Sequence, residues 1–416
     1  MKSHFHLDTL FLCHTIQTMF KQSGFILLLS LAAFSCKTSR LASTVDNTPA
    51  PVAKDTVVVP APAPVYVTSN GDTLEKIGEE IALEVFEVVP DTLTVIGVGD
   101  IMLGTEYPSK EYLPPANGSM LLSDVEHILK EADVTFGNYE GVLIDDDGTP
   151  KECNNPKLCY LFKTPEHYAV HLKEAGFDVM SLANNHAGDF GPEGRKSSIE
   201  VLTGLGIAVA GTQSTPYTIF EAKKTKIGFA AFAPNTGTIS IHDYARAREI
   251  IQHLDTTCQI VIVSFHAGGE GPEFQHVTRK RESFVGEDRG NVYEFARLVI
   301  DAGADIVFGH GPHVTRAVDL YEGKFIAYSM GNFCTYRRFN LKGPNGIAPI
   351  VKLWVNGEGD FLQGQIFSTH QLGSGGPLVD ENQKVLRKIK ELTLQDFPDT
   401  ALEILDDGLI TFKINN

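Results

Sequence analysis

The stretch 303–333, GADIVFGHGPHVTRAVDLYEGKFIAYSMGNF, decides how the chain folds. An apolar, strand-forming run stops at a turn that carries His310 and His313, and a second such run ends in SMGNF. Because the residues on either side of His310 are glycines, no adjacent side chain keeps the two imidazoles from facing one point. Neutral imidazole is a common protein ligand for Zn, Mn or Fe. This stretch alone is equally consistent with a turn histidine and a packing histidine.

The same plan recurs along the chain, where strand patterns end at residues that can bind a metal. Strands are predicted at 93–98, 134–136, 179–182, 260–265 and 305–308. The candidate ligands after them are Asp100, Glu140, Asn185, His186, His266, His310 and His313. Helical patterns lie between the strands, at 166–175, 194–205, 244–254 and 294–302. Since the carboxyl ends of parallel strands meet at one edge of a sheet, this alternation predicts an α/β layered fold with its site at that edge.

The candidate ligands combine carboxylate, amide and imidazole groups. Such a mixed set suits Mn, Fe or Zn and is large enough for two ions that share a carboxylate. Polar residues at so many successive strand ends are hard to explain by structure alone, because buried strand ends are otherwise apolar. The sequence therefore predicts a site for a divalent metal.

Composition limits the classes of partner. The chain has 416 residues, 43% of them hydrophobic, which is enough for a large core. Its formal net charge of -17 argues against a nucleic-acid-binding protein, which would present a basic face. An anionic substrate would have to be held locally, by a metal or by basic side chains.

Residues 1–90 are predicted to contain an export signal and a tether to the membrane. The apolar run 24–35, GFILLLSLAAFS, is too short to span a bilayer as a helix but has the length of a signal-peptide core. It precedes Cys36, and AFSC resembles a bacterial lipoprotein box in which the cysteine is lipidated. An ordinary cleaved signal and a buried apolar segment are the alternatives, and Met19 is an alternative start. The segment 37–90, rich in Pro, Ala and Thr, is predicted to be a tether, and 91–416 the folded domain.

Six blocks, in chain order, resemble the signature of a known family: GVGDIMLG, FGNYEG, LANNHAGDFG, SFHAGGE, GHGPHV and SMGNF. They are similar to the CapA family, also called the poly-gamma-glutamate biosynthesis or capsule protein family. That family looks like a branch of the calcineurin-like metallophosphoesterases. The resemblance covers about 92–377 and implies a metallophosphoesterase-like layered β-sandwich flanked by helices.

The resemblance also implies roles for the candidate site residues. The implied metal ligands are Asp100, Glu140 as bridging carboxylate, Asn185, His266, His310 and His313. His186 resembles the histidine that contacts substrate or acts as general acid, and Asp189 is placed to orient it. Met102 stands where the wider superfamily has a metal-binding histidine, so one or two ions are expected.

The family resemblance implies a metal-dependent hydrolase that uses metal-activated water. Its expected substrate is a cell-envelope or poly-gamma-glutamate-type polymer, or a phosphoester. The alternative is a non-catalytic envelope lipoprotein that binds or anchors an anionic polymer during capsule export. Either protein is expected in the bacterial cell envelope, held to the membrane by a lipid anchor, and a capsule-synthesis complex is the expected partner.

A basic stretch is the predicted contact for an anionic substrate. Arg279, Arg281 and Arg289 lie in the segment that follows His266, together with Glu270. Guanidinium groups match carboxylate or phosphate in fork geometry, so these residues are candidates for substrate binding. A solvated loop is the alternative.

Two further expectations concern the cysteines and the C-terminal part. Cys153 and Cys159 flank a short polar loop, which is consistent with a local disulfide or with two free thiols. The segments 382–392 and 399–405 are predicted to be surface helices, and 120–131 is predicted to be a helix with one apolar face.

Overall fold

A computed structural model describes residues 92–146, 148–153 and 159–413 of the protein. The predicted signal peptide, lipidation at Cys36 and the tether 37–90 lie outside these residues. None of the helices in the described part of the chain is long and apolar enough to cross a bilayer.

The described residues form twenty strands. They are β1 (Leu93–Met102), β2 (Val134–Tyr139), β3 (Val142–Leu143), β4 (Lys163–Thr164), β5 (Val179–Ser181), β6 (Ala208–Ala210), β7 (Tyr217–Ala222), β8 (Thr225–Phe232), β9 (Ile260–His266), β10 (Glu282–Phe284), β11 (Glu287–Gly290), β12 (Ile306–His310), β13 (Val318–Tyr321), β14 (Lys324–Ala327), β15 (Asn332–Thr335), β16 (Ile347–Val355), β17 (Phe361–Gln371), β18 (Pro377–Val379), β19 (Leu402–Ile404) and β20 (Leu409–Phe412). The five strands predicted in the sequence analysis are β1, β2, β5, β9 and β12 among them.

The α-helices lie between the strands, and two of them begin at a side-chain cap. They are α1 (Glu126–Leu129), α2 (Val170–Glu174), α3 (Gly191–Gly204), α4 (Tyr244–Asp255), α5 (Val292–Asp301) and α6 (Lys384–Asp396). The side chain of Asp243 caps α4, and that of Asn291 caps α5, each by accepting a backbone N–H of the first turn. Helix α5 buries Val292, Phe295 and Val299, which the helical repeat places on one face.

Two sheets of the described residues hold most of the strands. The larger has the order β19-β20-β17-β16-β1-β2-β5-β6, with β15 also paired to β1 and β18 to β17. The smaller has the order β13-β14-β12-β9-β8-β7. Part of each sheet is parallel: β1, β2, β5 and β6 form one side of the larger sheet, and β8, β9, β12 and β14 form the centre of the smaller one. Each sheet therefore gathers the carboxyl ends of several strands along one edge.

The two sheets pack face to face around a shared apolar core. Phe136 of β2 stacks on Phe308 of β12, with ring centroids 5.3 Å apart. Gly97 of β1 permits this close approach, because a Cβ there would lie 2.4 Å from the ring of Phe308. Further clusters cover the outer faces, with α4 and α5 against the smaller sheet and α3 against the larger one. The predicted α/β layered β-sandwich flanked by helices is confirmed.

Two predicted helices are wrong. The segment 399–405 contains strand β19, which pairs antiparallel with β20. Its side chains alternate, with Leu402 and Ile404 buried and Glu403 exposed, and this period of two favours a strand. Of 120–131, only Glu126–Leu129 is α-helical. The turn before it is tied to β18, since the carboxylate of Asp124 accepts the N–H of Val379 at 2.7 Å.

Candidate metal centre

Four residues from both sheets meet at the carboxyl ends of the parallel strands. Asp100 lies near the end of β1, and Glu140 directly follows β2. His266 is the last residue of β9, and His313 comes three residues after β12. One ligand-type atom of each residue lies within 4.8 Å of those of the other three. The predicted convergence of strand ends therefore brings these four together in one group.

The distances within this group are short. Nδ1 of His313 donates to Oδ2 of Asp100 at 3.0 Å. Nε2 of His313 lies 3.6 Å, and Nε2 of His266 3.3 Å, from Oε1 of Glu140. His313 adopts a left-handed backbone conformation, with φ 57°, after Gly311 at φ 114°. A Cβ on Gly311 would lie 2.6 Å from the carbonyl oxygen of Ala267, so the turn that presents His313 requires glycine there.

Buried oxygen and nitrogen atoms that lack hydrogen-bond partners within the described residues indicate that the group can bind a cation. Among the described residues, neither carboxylate oxygen of Glu140 and neither ring nitrogen of His266 has a hydrogen-bond partner, and both side chains are fully buried. Oδ1 of Asn185 is also buried without a partner in the described part of the chain. Burying such groups unpaired is costly, and a cation coordinated by them would remove that cost. Together with Asp100 and His313, these oxygen and nitrogen donors fit a divalent metal ion.

The charges of Asp100 and His313 depend on each other. Burial alone would raise the pKa of Asp100, but the hydrogen bond from His313 and the charges of the neighbouring histidines outweigh it and lower that pKa to about 2. Burial alone would lower the pKa of His313, but the charge of Glu140 and the hydrogen bond to Asp100 raise it to about 10. Since a metal binds neutral imidazole, coordination by His313 would release a proton.

Burial is the largest influence on the pKa values of Glu140 and His266. Burial raises the pKa of Glu140 to about 7, with the charge of His313 opposing the rise and that of Asp100 adding to it. Burial lowers the pKa of His266 to about 3, so its imidazole is neutral at physiological pH. A metal binds imidazole in its neutral form, as in His266. It also binds a carboxylate that has no cationic hydrogen-bond partner, as in Glu140.

His310 is not brought into the four-residue group. It is the last residue of β12 and pairs in register with His266 of β9. Nε2 of His310 donates to the carbonyl oxygen of Val98 at 3.0 Å, while the hydroxyl of Ser264 lies 3.4 Å from Nδ1. Both ring nitrogens of His310 therefore have partners within the fold, and its role as a metal ligand stays a prediction.

His186 and Asp189 form a hydrogen-bonded pair beside the group. Nδ1 of His186 donates to Oδ2 of Asp189 at 2.7 Å, and that oxygen also accepts the N–H of Phe162. The ammonium of Lys151 pairs with the other carboxylate oxygen of Asp189. Nε2 of His186 lies 3.9 Å from Oε1 of Glu140. Asp189 thus fixes the orientation of an imidazole whose second nitrogen faces the candidate metal ligands.

The predicted substrate-binding residues fall into two sets. Arg289 is 2% exposed and pairs with Glu270 at 2.8 Å, while its Nε and Nη2 have no hydrogen-bond partner among the described residues. Burial would raise the pKa of Glu270, but the charges of His313 and Arg289 lower it, which places this pair in the electrostatic neighbourhood of the group. The other two arginines contact different parts of the fold. Arg279 lies over Tyr293, and Arg281 pairs with Asp288.

A buried ion pair holds the loop that carries Glu270. Arg316, 1% exposed, donates two hydrogen bonds to Glu282, at 3.0 and 2.7 Å. Oε2 of Glu282 also accepts the N–H of Gly269 at 2.8 Å. Since such bidentate pairs have a defined geometry, they fix the loop after β9 relative to the turn that carries His313.

Several residues at the site had no role predicted for them. Asn138 donates to Oδ1 of Asp100 at 2.9 Å, and Oδ1 of Asn332 lies 3.0 Å from Nδ1 of His313. Both asparagines stand in the sequence blocks FGNYEG and SMGNF, which was the available signal. Phe162 covers the ring of His186 at 4.2 Å, and Phe339 lies edge-on to His313. Their loops carry no pattern that distinguishes them from packing residues.

The loop between Cys153 and Cys159 is closed by a disulfide. Of the two alternatives that the sequence left open, the disulfide is therefore the one present. Both cysteines pack against a small apolar cluster that includes Val142, Leu161 and Phe190. Leu161 directly precedes Phe162, and Phe190 directly follows Asp189, so this cluster packs next to both residues.

Relatives of the chain are found among capsule proteins. The chain is 28% identical over 346 residues to "Capsule biosynthesis protein CapA" of Bacillus anthracis, covering 78% of this chain and 79% of that protein. It is 27% identical over 345 residues to "PGA biosynthesis protein CapA" of Bacillus subtilis (strain 168), covering 78% and 83%. It is also 26% identical over 303 residues to a "Probable polyglutamine synthesis accessory protein" of Mycobacterium tuberculosis, covering 58% and 74%.

Solved structures show only a distant likeness. A hypothetical protein from Thermus thermophilus has a TM-score of 0.40 at 16% identity, covering 67% of this chain and 100% of that one. A 5'-nucleotidase precursor from the same organism has a TM-score of 0.39 at 12% identity, covering 73% and 59%. These scores are too low to support a conclusion about activity.

The family assignment rests on the sequence match. Residues 94–337, which contain the four grouped residues and the His186–Asp189 pair, match the family described as "Bacterial capsule synthesis protein PGA_cap". That match spans more than half of the chain, and it agrees with the resemblance carried by the six sequence blocks. The chain belongs to the bacterial capsule synthesis protein family.

Proposed function

We propose that the protein is a metal-dependent hydrolase of the cell envelope that acts on an anionic polymer of the poly-gamma-glutamate type or on a phosphoester. The observation that carries the proposal is the group of Asp100, Glu140, His266 and His313 beside an oriented histidine. The buried ligand atoms of Glu140 and His266 in this group have no hydrogen-bond partner within the residues that the structure describes. The names of the Bacillus relatives, which refer to capsule and PGA biosynthesis, support an envelope polymer.

The metal would be held by this group, with Asn185 and His310 as additional candidates. A bound divalent ion would supply an activated water near neutral pH and would polarise the bond under attack. The deep burial of the ligands keeps bulk water from competing for them. Mn, Fe or Zn suits the mixed oxygen and nitrogen donors.

His186 is the proposed general acid. Asp189 accepts its Nδ1–H, so the tautomer and the ring orientation are set, and Nε2 is the atom that would hand a proton to the leaving group. Lys151 pairs with the other oxygen of Asp189 and so holds this carboxylate in place. The aromatic cover by Phe162 keeps the imidazole from rotating out of the site.

A specific observation favours a second candidate, a protein that binds the polymer without cleaving it. Met102 is fully buried, and its sulfur accepts the N–H of Gly104 at 3.1 Å, so this position offers a thioether where the wider superfamily has a ligand histidine. The Mycobacterium tuberculosis relative is named an accessory protein. A protein that only binds the polymer would not use His186 as a general acid.

The His186→Ala variant separates the two candidates. We expect hydrolysis of a poly-gamma-glutamate or phosphoester substrate to fall by about 10²- to 10⁴-fold, the usual contribution of a positioned general acid, with metal content unchanged. His127→Ala, which alters an exposed histidine on α1, is the matched control and should behave as wild type. Equal turnover by His186→Ala and wild type, or no metal-dependent turnover by the wild type, would favour the binding protein.

A further inference from the structure

The segment 336–342, YRRFNLK, follows β15 and lies against the metal centre, and we refer to it as the rim loop. Its Phe339 is edge-on to His313, with ring centroids 5.5 Å apart, and stacks on Phe162 at 5.1 Å. Phe162 in turn covers His186. The rim loop therefore touches both a candidate metal ligand and the residue that covers the proposed general acid.

Two tyrosine rings hold the guanidinium of Arg338 in the rim loop. It lies 4.8 Å from the ring centroid of Tyr112 and 4.7 Å from that of Tyr160. Its Nε is buried and has no hydrogen-bond partner among the described residues. Cation–π contacts position a cation without neutralising its charge. Arg338 therefore keeps its positive charge in the loop whose next residue, Phe339, contacts His313.

The backbone of the rim loop is held in an unfavourable conformation. Arg337 and Arg338 have φ values of 54° and 61°, in the left-handed region that side chains other than glycine rarely adopt. Such conformations persist where the surroundings impose them, as they do at ligand clamps. Two backbone hydrogen bonds hold this turn: the N–H of Arg337 donates to the carbonyl oxygen of Ser374 at 2.6 Å, and the N–H of Phe339 donates to that of Arg337 at 2.7 Å.

We propose that Arg338 is a substrate-binding residue whose guanidinium receives an oxyanion group of the substrate next to the reacting bond. Its planar fork matches the geometry of a carboxylate or a phosphate. Because the chain has a net charge of -17, an anionic substrate needs such a local cation to overcome the overall field. This inference rests on the proposed function, which supplies the anionic substrate.

Isothermal titration calorimetry tests the assignment with two probes, a short γ-linked glutamate oligomer and phenyl phosphate. In Arg338→Ala, we expect the affinity for one of them to fall about tenfold, which corresponds to the loss of one charged contact. Arg338→Lys keeps the charge but loses the fork, and should recover part of the affinity. The control is Arg248→Ala, an exposed arginine on α4, which should bind as wild type.

The two probes distinguish the source of the oxyanion. A loss confined to the oligomer assigns Arg338 to a polymer carboxylate, and a loss confined to phenyl phosphate assigns it to a phosphoryl group. Equal affinity of Arg338→Ala and wild type for both probes, or no binding of either probe to wild type, would overturn the inference. The hydrolase proposal is judged separately by His186→Ala. Normal binding by Arg338→Ala would leave that proposal standing, whereas Arg338-dependent binding without hydrolysis would contradict only the hydrolase.

Discussion

The buried carboxylate of Glu140 destabilises the fold but is suited to binding a metal ion. Its carboxylate is fully buried, neither oxygen accepts a hydrogen bond among the described residues, and burial raises its pKa to about 7. Burying an unpaired carboxylate destabilises a fold. Such a group is expected where a cation is bound, because the ion would satisfy both oxygens. Stability and metal binding therefore place opposite demands on this residue.

The Glu140→Gln variant should show this opposition directly. We expect it to lose metal and, in the presence of a chelator, to unfold with a free energy about 1 to 3 kcal/mol higher than that of wild type, because the buried charge is gone. Urea denaturation of both proteins with chelator measures the difference. A lower free energy of unfolding for Glu140→Gln than for wild type would contradict this interpretation.

Residues at or shortly after strand ends were predictable, whereas the contacts that loops make with one another were not. Asp100, Glu140 and His266 could be assigned because the alternation of strands and helices determines which edge of the sheets they reach. The partners of Arg279 and Arg338 depend on how irregular loops pack against Tyr293 and Tyr160, and no periodicity encodes such contacts. The hydrogen bond from His310 to the Val98 carbonyl is likewise a product of tertiary packing.

Among the elements, β1 occupies the centre of the larger sheet and delivers Asp100 to the site. Its N-terminal end is pinned by Asp133, whose Oδ2 accepts both the backbone N–H and the hydroxyl of Thr94, at 2.8 and 2.6 Å. Lys223 pairs with the other oxygen of Asp133 at 2.9 Å. Asp133 directly precedes β2, so it links the starts of two strands whose far ends carry candidate metal ligands.

The contribution of Asp133 should depend on pH. Burial alone would raise its pKa, but the hydrogen bonds from Thr94 and Lys223 lower it below 3.8. A lowered pKa means that the stabilisation is present above about pH 3.8 and is lost as the pH falls through the folded-state pKa. We therefore expect Asp133→Asn to lower the free energy of unfolding by about 1 to 2 kcal/mol at pH 7 and by less at pH 3.

Urea denaturation at the two pH values measures this change, with Glu381→Gln as a control at an exposed acidic residue. A difference between Asp133→Asn and wild type that is as large at pH 3 as at pH 7 would contradict the assignment of the effect to the charged carboxylate.

Sequence periodicity predicted the elements wherever one face was buried over several turns. Helices α4 and α5 begin at side-chain caps and bury regularly spaced apolar residues, so both signals agree. Strand β19 was mistaken for a helix because three residues are too few to separate a period of two from one of 3.6. In 120–131 the apolar spacing was helical, but tertiary contacts such as that of Asp124 with Val379 favoured turns.

For the molecule as a whole, the candidate metal centre lies where the two sheets meet. Asp100 and Glu140 come from the larger sheet, and His266 and His313 come from the smaller one. A bound ion would therefore join the two layers, and because it would bind the folded state alone, it would also stabilise the fold. Metal binding is the central claim on which the hydrolase proposal depends.

Elemental analysis of the purified protein tests this claim most directly. We expect about one or two ions of Mn, Fe or Zn per chain, and loss of most of that metal in the His266→Ala, His313→Ala double variant. The control double variant His127→Ala, His167→Ala, which alters exposed histidines, should keep it. Circular dichroism verifies that each variant is folded. No metal in the wild type even after reconstitution, or equal metal in wild type and the His266, His313 variant, would contradict the account.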